Sequence, residues 1–399
     1  MTLLHPAFEA IRGRAAEGRA RLQARLAPAF PTRFGSLGAT FLAGLPLIYG
    51  EALSARLRQR VGEVVDLLRR EVATGVAPAG WAWAGPPDLL TVDVAVAASD
   101  RAEGWDLRVV EFQAFPSVAA TGFLMDAACR AEHPELAPFR PWGGDPDPEA
   151  WRRRARALLA PTEASAVVDV HPDTQFTAWD FDALQHLFGQ PTFDGAQLRG
   201  EGGSAWVETD AGRHPLAHVA NRVVPPELQG HPEGARIRAV LDALPVPCTG
   251  HPAWYDRVHK GWLAKLDLPE AERCVTADRW RDLPRPVADY VLKDTRSWGG
   301  KDVILRPTVE QVAGVEEPEA WVLQPRFEQV PVFEDSEGKG IYAELRVIVA
   351  LEEGMKGWPM MSLARMNRVP VASARAMDGS GCTGLGVGYF PDGERWGAL

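Results

Sequence analysis

Val291-Leu292-Lys293-Asp294-Thr295-Arg296-Ser297-Trp298-Gly299-Gly300-Lys301-Asp302-Val303-Ile304-Leu305 holds two short apolar runs on either side of a glycine pair. One lysine sits in the first run and another where the second begins. The runs read as two antiparallel strands. Gly299 and Gly300 allow backbone N–H groups to approach an anion that a Cβ would hold off. Lys293 and Lys301 can add positive charge as point donors. Such a hairpin can fold over a polyphosphate. It can equally be an ordinary surface hairpin, and it is not the Walker pattern G-x-x-x-x-G-K-[ST]. The surrounding sequence has to decide.

Downstream, Trp321-Val322-Leu323-Gln324-Pro325-Arg326-Phe327 is a strand running into a proline turn. A strand end of this kind can offer backbone groups and the Gln324 amide to the edge of a base, or it can simply turn. Ala343-Glu344-Leu345-Arg346-Val347-Ile348-Val349 alternates charged and apolar residues, which places Glu344 and Arg346 on one face. An arginine on a half-buried strand needs an anion, either a carboxylate such as Glu344 or a phosphate. Arg365, within Ser362–Arg368, repeats the theme.

Upstream, Asp93 lies in the strand-like run Leu89–Val96, and Glu111 and Gln113 end the run that starts at Leu107. Two carboxylates and an amide oxygen are hard ligands of the kind Mg²⁺ takes. Glu111 and Gln113 are two apart and share a strand face, which Asp93 can complete from the paired strand. Alone, a Glu-x-Gln at a strand end also reads as a solvated edge.

At 399 residues the chain has room for two or three domains. A net charge of −10 gives a nucleic-acid partner no electrostatic support. The Arg-rich stretches 12–25 and 152–156 fall at helical spacing and read as solvated helix faces. The four cysteines form no C-x-x-C pair, which argues against a disulfide scaffold or zinc ribbon and fits a reducing cytosol. The N-terminus lacks a signal-peptide pattern, and no apolar run reaches the roughly 18 residues of a membrane span. A cytoplasmic protein without a membrane partner is expected.

The pattern predicts an α+β protein. Residues 1–80 read as helical, with Leu53, Leu57, Val61, Val64, Val65 and Leu68 at spacings of three and four. Residues 81–160 carry the Asp93 and Glu111 strands, then a helix from about Ser117. Residues 161–255 alternate strand and helix, which argues for an α/β layer with partly parallel pairing. There Asn221-Arg222 can bind a carboxylate or cap a turn. Residues 256–399 open with a helix over about 256–266, continue into the lysine hairpin, and end in four more strand-like runs, the last at Val369–Arg375.

This order resembles the circularly permuted ATP-grasp ligases, the family of glutathionylspermidine synthase. Val109-Val110-Glu111-Phe112-Gln113-Ala114-Phe115-Pro116-Ser117-Val118 is similar to the family's E-x-N-x-x-x-P-[ST] run. Residues 251–266 precede the hairpin, which resembles the Lys-bearing ATP lid. Residues 321–327 resemble the Q-P hinge and residues 344–349 the family's R-V strand. The likeness covers about residues 88–390 and leaves 1–80 outside. It implies an ATP-grasp fold with nucleotide between two α+β subdomains. Asp93, Glu111 and Gln113 would hold Mg²⁺, Lys293 with the Gly299–Lys301 turn would meet phosphate, and Gln324 would meet adenine. Arg346 and Arg365 would face phosphate or an acyl phosphate. The implied reaction is ATP- and Mg²⁺-dependent ligation of a small carboxylate to a small amine; phosphoryl transfer or nucleotide binding without turnover is the alternative. Three positions depart from the family: Gln113 replaces Asn, Thr91 stands where an Arg is usual, and Asp294 replaces Pro.

Overall fold

The described strands of this α+β chain sort into four sheets. In the computed structural model the described residues are 3–30, 41–75, 81, 86–115, 117–143, 147–269, 272–297, 302–370, 381–391, 396 and 399. Gly299, Gly300 and Lys301 lie outside them, as does most of the strand expected over Val369–Arg375; residues 369 and 370 belong to no strand.

The longer described helices of the N-terminal segment are α1 (Ala15–Leu26) and α2 (Glu51–Ala73), with a short strand between them, β1 (Leu47–Ile48). The six apolar residues of α2 singled out by their spacing are each at most 1% exposed, as a buried helical stripe requires. The strand β1 departs from an all-helical reading. It pairs in parallel with the C-terminal strand Gly384–Tyr389, so this segment is part of the main sheet.

Strands β2 (Leu89–Ala98) and β3 (Trp105–Gln113) form a hairpin and lead to helix α3 (Ala119–Glu132) and helix α4 (Pro148–Leu159). Next come β4 (Ser165–Asp169), α5 (Trp179–Phe188), β5 (Thr192–Asp194) and an antiparallel meander of β6 (Leu198–Glu201), β7 (Ser204–Thr209) and β8 (Gly212–Leu216). Then follow β9 (His218–Asn221), α6 (Gly234–Asp242) and β10 (Cys248–Thr249). The order β10-β9-β4-β5 is parallel throughout, as strands separated by helices require.

The helix expected over 256–266 is instead an α-helical turn, Ala253–Arg257, and a 3₁₀ segment, Lys260–Lys265. A small antiparallel sheet follows, built from β11 (Val275–Thr276), β12 (Tyr290–Asp294), β13 (Val303–Leu305) and β14 (Trp321–Pro325) in the order β11-β14-β12-β13. Val291 pairs with Leu305 and Lys293 with Val303, so the quoted stretch is the antiparallel hairpin its apolar runs predicted.

The chain closes with β15 (Phe333–Glu334), β16 (Gly340–Glu352), β17 (Lys356–Asn367) and β18 (Gly384–Tyr389). The central sheet runs β1-β18-β17-β16-β2-β3, with β15 also paired to β16. Glycines inside β18 are required by packing: a Cβ on Gly388 would overlap the buried Tyr49 ring. Helix α3 rests on β17 at Gly122, whose missing side chain makes room for Met361 and Leu363. No described helix is long and apolar enough to cross a membrane.

Candidate functional site

The register of the central sheet brings most of the expected residues onto one face. Asp93 lies opposite Glu111 and Thr91 opposite Gln113 on β3. On its other side Asp93 lies opposite Arg346, and one strand further Glu344 lies opposite Arg365. Directly opposed residues share a face, and so do residues two apart.

Asp93 is 1% exposed and accepts from two guanidiniums. Arg346 Nε donates to Oδ1 at 2.7 Å and Arg346 Nη2 to Oδ2 at 2.6 Å, a bidentate fork, while Arg365 Nη2 reaches Oδ2 at 2.7 Å. Burial alone would raise the Asp93 carboxyl, but the two arginines outweigh it and hold it at about 2. The anion that Arg346 needs is therefore Asp93. Glu344 pairs with Arg365 instead, across the strands. The carboxylate that the resemblance assigns to Mg²⁺ is thus held between two arginines, with one hydrogen bond on Oδ1 and two on Oδ2. Among the described residues no group of three or more His, Cys, Asp or Glu side chains could hold an ion.

The neighbouring positions are open. Glu111 and Gln113 make no hydrogen bond or ion pair among the described residues, and the Thr91 hydroxyl is buried without a partner. Glu111 is nonetheless surrounded by positive charge, within electrostatic reach of Lys260, Lys293 and Arg346.

A β-bulge supplies the link to the small β11–β14 sheet. Asp93 pairs with Glu111 and Val94 with Val109, which leaves Val110 as the extra residue on β3. The freed Val110 carbonyl accepts from Lys293 Nζ at 3.0 Å, and Lys293 also donates to Gln324 Oε1 at 2.6 Å. Gln324 Nε2 then donates to the Val109 carbonyl at 2.7 Å. The Gln324 amide thus ties β14 to β3. Burial pushes the Lys293 ammonium below its usual range, against the pull of Glu111.

Lys260 was not singled out by sequence. It donates to the Ser297 carbonyl at 2.5 Å, the Ser297 hydroxyl at 3.0 Å and the Asp294 carbonyl at 3.2 Å, which holds it under the hairpin. Burial lowers its ammonium, with Glu111 opposing and Lys293 adding to the shift. The signal was present in Val258-His259-Lys260-Gly261-Trp262, where apolar neighbours flank a lysine on both sides.

Beside this cluster lies a cavity of about 190 Å³ between β14 and the central sheet, lined by Val109, Leu268, Arg285, Gln324, Pro325 and Phe327. That is below the usual volume of a drug-sized pocket and suits a single flat group. Asn221 and Arg222 are structural. Asn221 caps its turn through the Val223 amide and carbonyl, and Arg222 Nη1 pairs with buried Asp180 at 2.8 Å.

No protein-family model and no curated protein matches the sequence. Among solved structures the chain is similar to a glutathione synthetase-like effector, GSS30, of Globodera pallida in its apo form. The TM-score is 0.54 at 10% identity, over 96% of this chain and 97% of that one. A match of that extent draws the N-terminal segment into the shared architecture, where the motif resemblance had left it outside. The likeness is one of fold.

Proposed function

We infer that the chain is an ATP-grasp-like ligase, in the permuted order its motifs suggest, that holds ATP between the β11–β14 lid and the central sheet. ATP would serve there to join a carboxylate to an amine. The observation that carries this reading is that Lys293 and Lys260 both lie within electrostatic reach of Glu111, near the cavity lined by Gln324, Pro325 and Phe327. The order of motifs supports it, and so does the fold likeness to a glutathione synthetase-like protein.

In this reading a substrate carboxylate oxygen attacks the γ-phosphorus and ADP departs, leaving an acyl phosphate. The amine then attacks the acyl carbon, and phosphate leaves from the tetrahedral intermediate. Such transfers depend on positioning and charge rather than on a protein nucleophile. Lys293 would take a phosphate oxygen through its remaining ammonium proton, and Lys260, whose three protons are held by Ser297 and Asp294, would add positive charge beneath the hairpin. Arg365, whose Nε has no partner, is better placed than the fully engaged Arg346 to meet an acyl phosphate. Magnesium, when bound, polarises phosphoryl oxygens as a Lewis acid. Glu111 and Gln113, with no hydrogen bond among the described residues, would hold it, and Asp93 would do so only beside the arginines it already pairs with.

A second reading, nucleotide binding without turnover, is favoured by the saturation of Asp93. A coupled assay of ADP release across small carboxylates paired with amines separates the two. Release that requires both substrates supports ligation. Saturable ATP binding with no release under any pair supports the second reading.

A further inference from the structure

His133 follows the last residue of helix α3, and its backbone N–H still closes that helix on the Cys129 carbonyl at 2.8 Å. The residue is 1% exposed, yet neither ring nitrogen has a hydrogen-bond partner. Helix α1 packs on α3 and covers the ring at Gly18, where a Cβ would stand 3.9 Å from His133 Nε2. A buried imidazole without a hydrogen bond is an exception, because its N–H and its lone pair are both left unmet. Four charged groups face it. Arg14 lies just before α1 and Arg21 within it, Glu132 ends α3, and Glu135 sits in the 3₁₀ turn Pro134–Leu136. Both carboxylates are already engaged. Glu132 accepts from Arg21 Nε at 2.6 Å and from Arg25, and Glu135 Oε1 accepts from Arg14 Nη2 at 2.5 Å.

We propose that His133 is an acid-sensitive latch for α1: protonation of its imidazole lifts that helix off α3. Neutral, the ring occupies an interface that offers it neither donor nor acceptor. Protonated, it becomes a buried cation beside two guanidiniums, with the nearby carboxylates held by arginines. Water reaches the imidazolium only when α1 moves away. Burial and Arg14 hold the docked ring below its ordinary pKa, against the pull of Glu135 and Glu132. The uncovered ring recovers a value of about 6.5. Docking is therefore full above pH 6.5 and weakens as pH falls below it. Glu132 is held below the usual carboxylate range by Arg25 and Arg21, and Glu135 by its own backbone N–H and Arg14, so both stay ionised through this window. Gly44 and Gly381 both pack on Ala15 at the start of α1. Release of the latch thus also frees α1 from the turn that precedes β18.

The test follows hydrogen–deuterium exchange of the full chain by mass spectrometry at pH 7.5 and pH 5.5, with rates corrected for intrinsic exchange. In the wild type, opening of residues 15–26 becomes about tenfold more frequent at pH 5.5, the factor that a group of pKa about 6.5 allows one unit below that value. Strands β16 and β17 show no such change. Asp88, whose buried carboxyl is pushed up to about 7, gives the opposite dependence on pH and cannot mimic it. His133→Gln takes no proton, so its exchange over 15–26 is the same at both pH values. Where that buried amide prevents folding, His133→Phe gives the same flat profile with an apolar ring. Wild-type exchange over 15–26 that ignores pH overturns the proposal. So does a pH response that either variant retains, or an acceleration spread evenly over the chain. The nucleotide reading stands or falls separately.

Discussion

Lys293 on β12 donates a 2.6 Å hydrogen bond to Gln324 Oε1 on β14, and through Gln324 the pair is tied to the bulged carbonyls of β3. The lid is therefore fastened to the central sheet by the same lysine that faces Glu111. Replacing the ammonium with an apolar chain of similar length separates its two roles. Lys293→Met removes a buried charge but leaves the Val110 carbonyl and Gln324 Oε1 without their donor, so the melting temperature without ligand falls while the chain stays folded. Hydrogen bonds to charged groups are worth about 1.5–3 kcal/mol, so ATP affinity measured by calorimetry falls on the order of 10- to 100-fold.

Removing Asp93 has a different signature. Asp93→Ala strands two guanidiniums on a buried face, and breaking a buried pair from one side costs roughly 3–5 kcal/mol. Urea unfolding of the variant shows that loss. Asp93→Leu combined with Arg346→Met recovers part of it, because no uncompensated charge remains at the bidentate contact.

Asp88 offers a test by pH. Its carboxylate accepts from the Gly250 amide at 2.9 and 3.1 Å, joining the start of β2 to the end of β10, and burial pushes it up to about 7. A carboxyl whose folded pKa lies above its unfolded value of about 3.9 favours the fold when protonated. Its contribution is full below pH 4 and is lost as pH rises through 7. Asp88→Asn keeps an acceptor for Gly250 and cannot ionise. The variant therefore gains stability relative to the wild type between pH 5 and pH 8, read as a widening difference in melting temperature.

Gly388 tests the packing of the N-terminal segment onto the sheet. Gly388→Ala places a methyl group against the Tyr49 ring, which is 0% exposed and cannot swing into solvent. Overpacking of this kind costs about 1–3 kcal/mol or more. Thermal melting shows the loss, and Tyr49→Ala in the same chain relieves part of the clash.

The lysine hairpin, the β2–β3 pair, the parallel middle layer and the amphipathic stripe of α2 were all legible, because each has a period or a turn signal of its own. The short strand β1 was not. Two residues, Leu47 and Ile48, carry no period, and only their partners Gly388 and Tyr389, more than three hundred residues away, make them a strand. Sequence likewise brought Asp93, Glu111, Gln113 and Arg346 forward as candidates by residue type and alternation. It could not say that Arg346 would be spent on Asp93, because that depends on the register of β16 against β2. The same limit applies to Gln324, whose amide is claimed by a bulge carbonyl, and to Thr91, which looks like an ordinary strand residue until its hydroxyl is found buried without a partner.

The central claim is that Lys293, Lys260 and Glu111 face the phosphates of a nucleotide held between the lid and the central sheet. Isothermal titration of the full chain with ATP in the presence of Mg²⁺ tests it most directly. The account predicts saturable binding at one site, weakened at least tenfold in Lys293→Met and in Lys260→Met while both variants stay folded. No binding by the wild type, or binding that both variants retain unchanged, would contradict it.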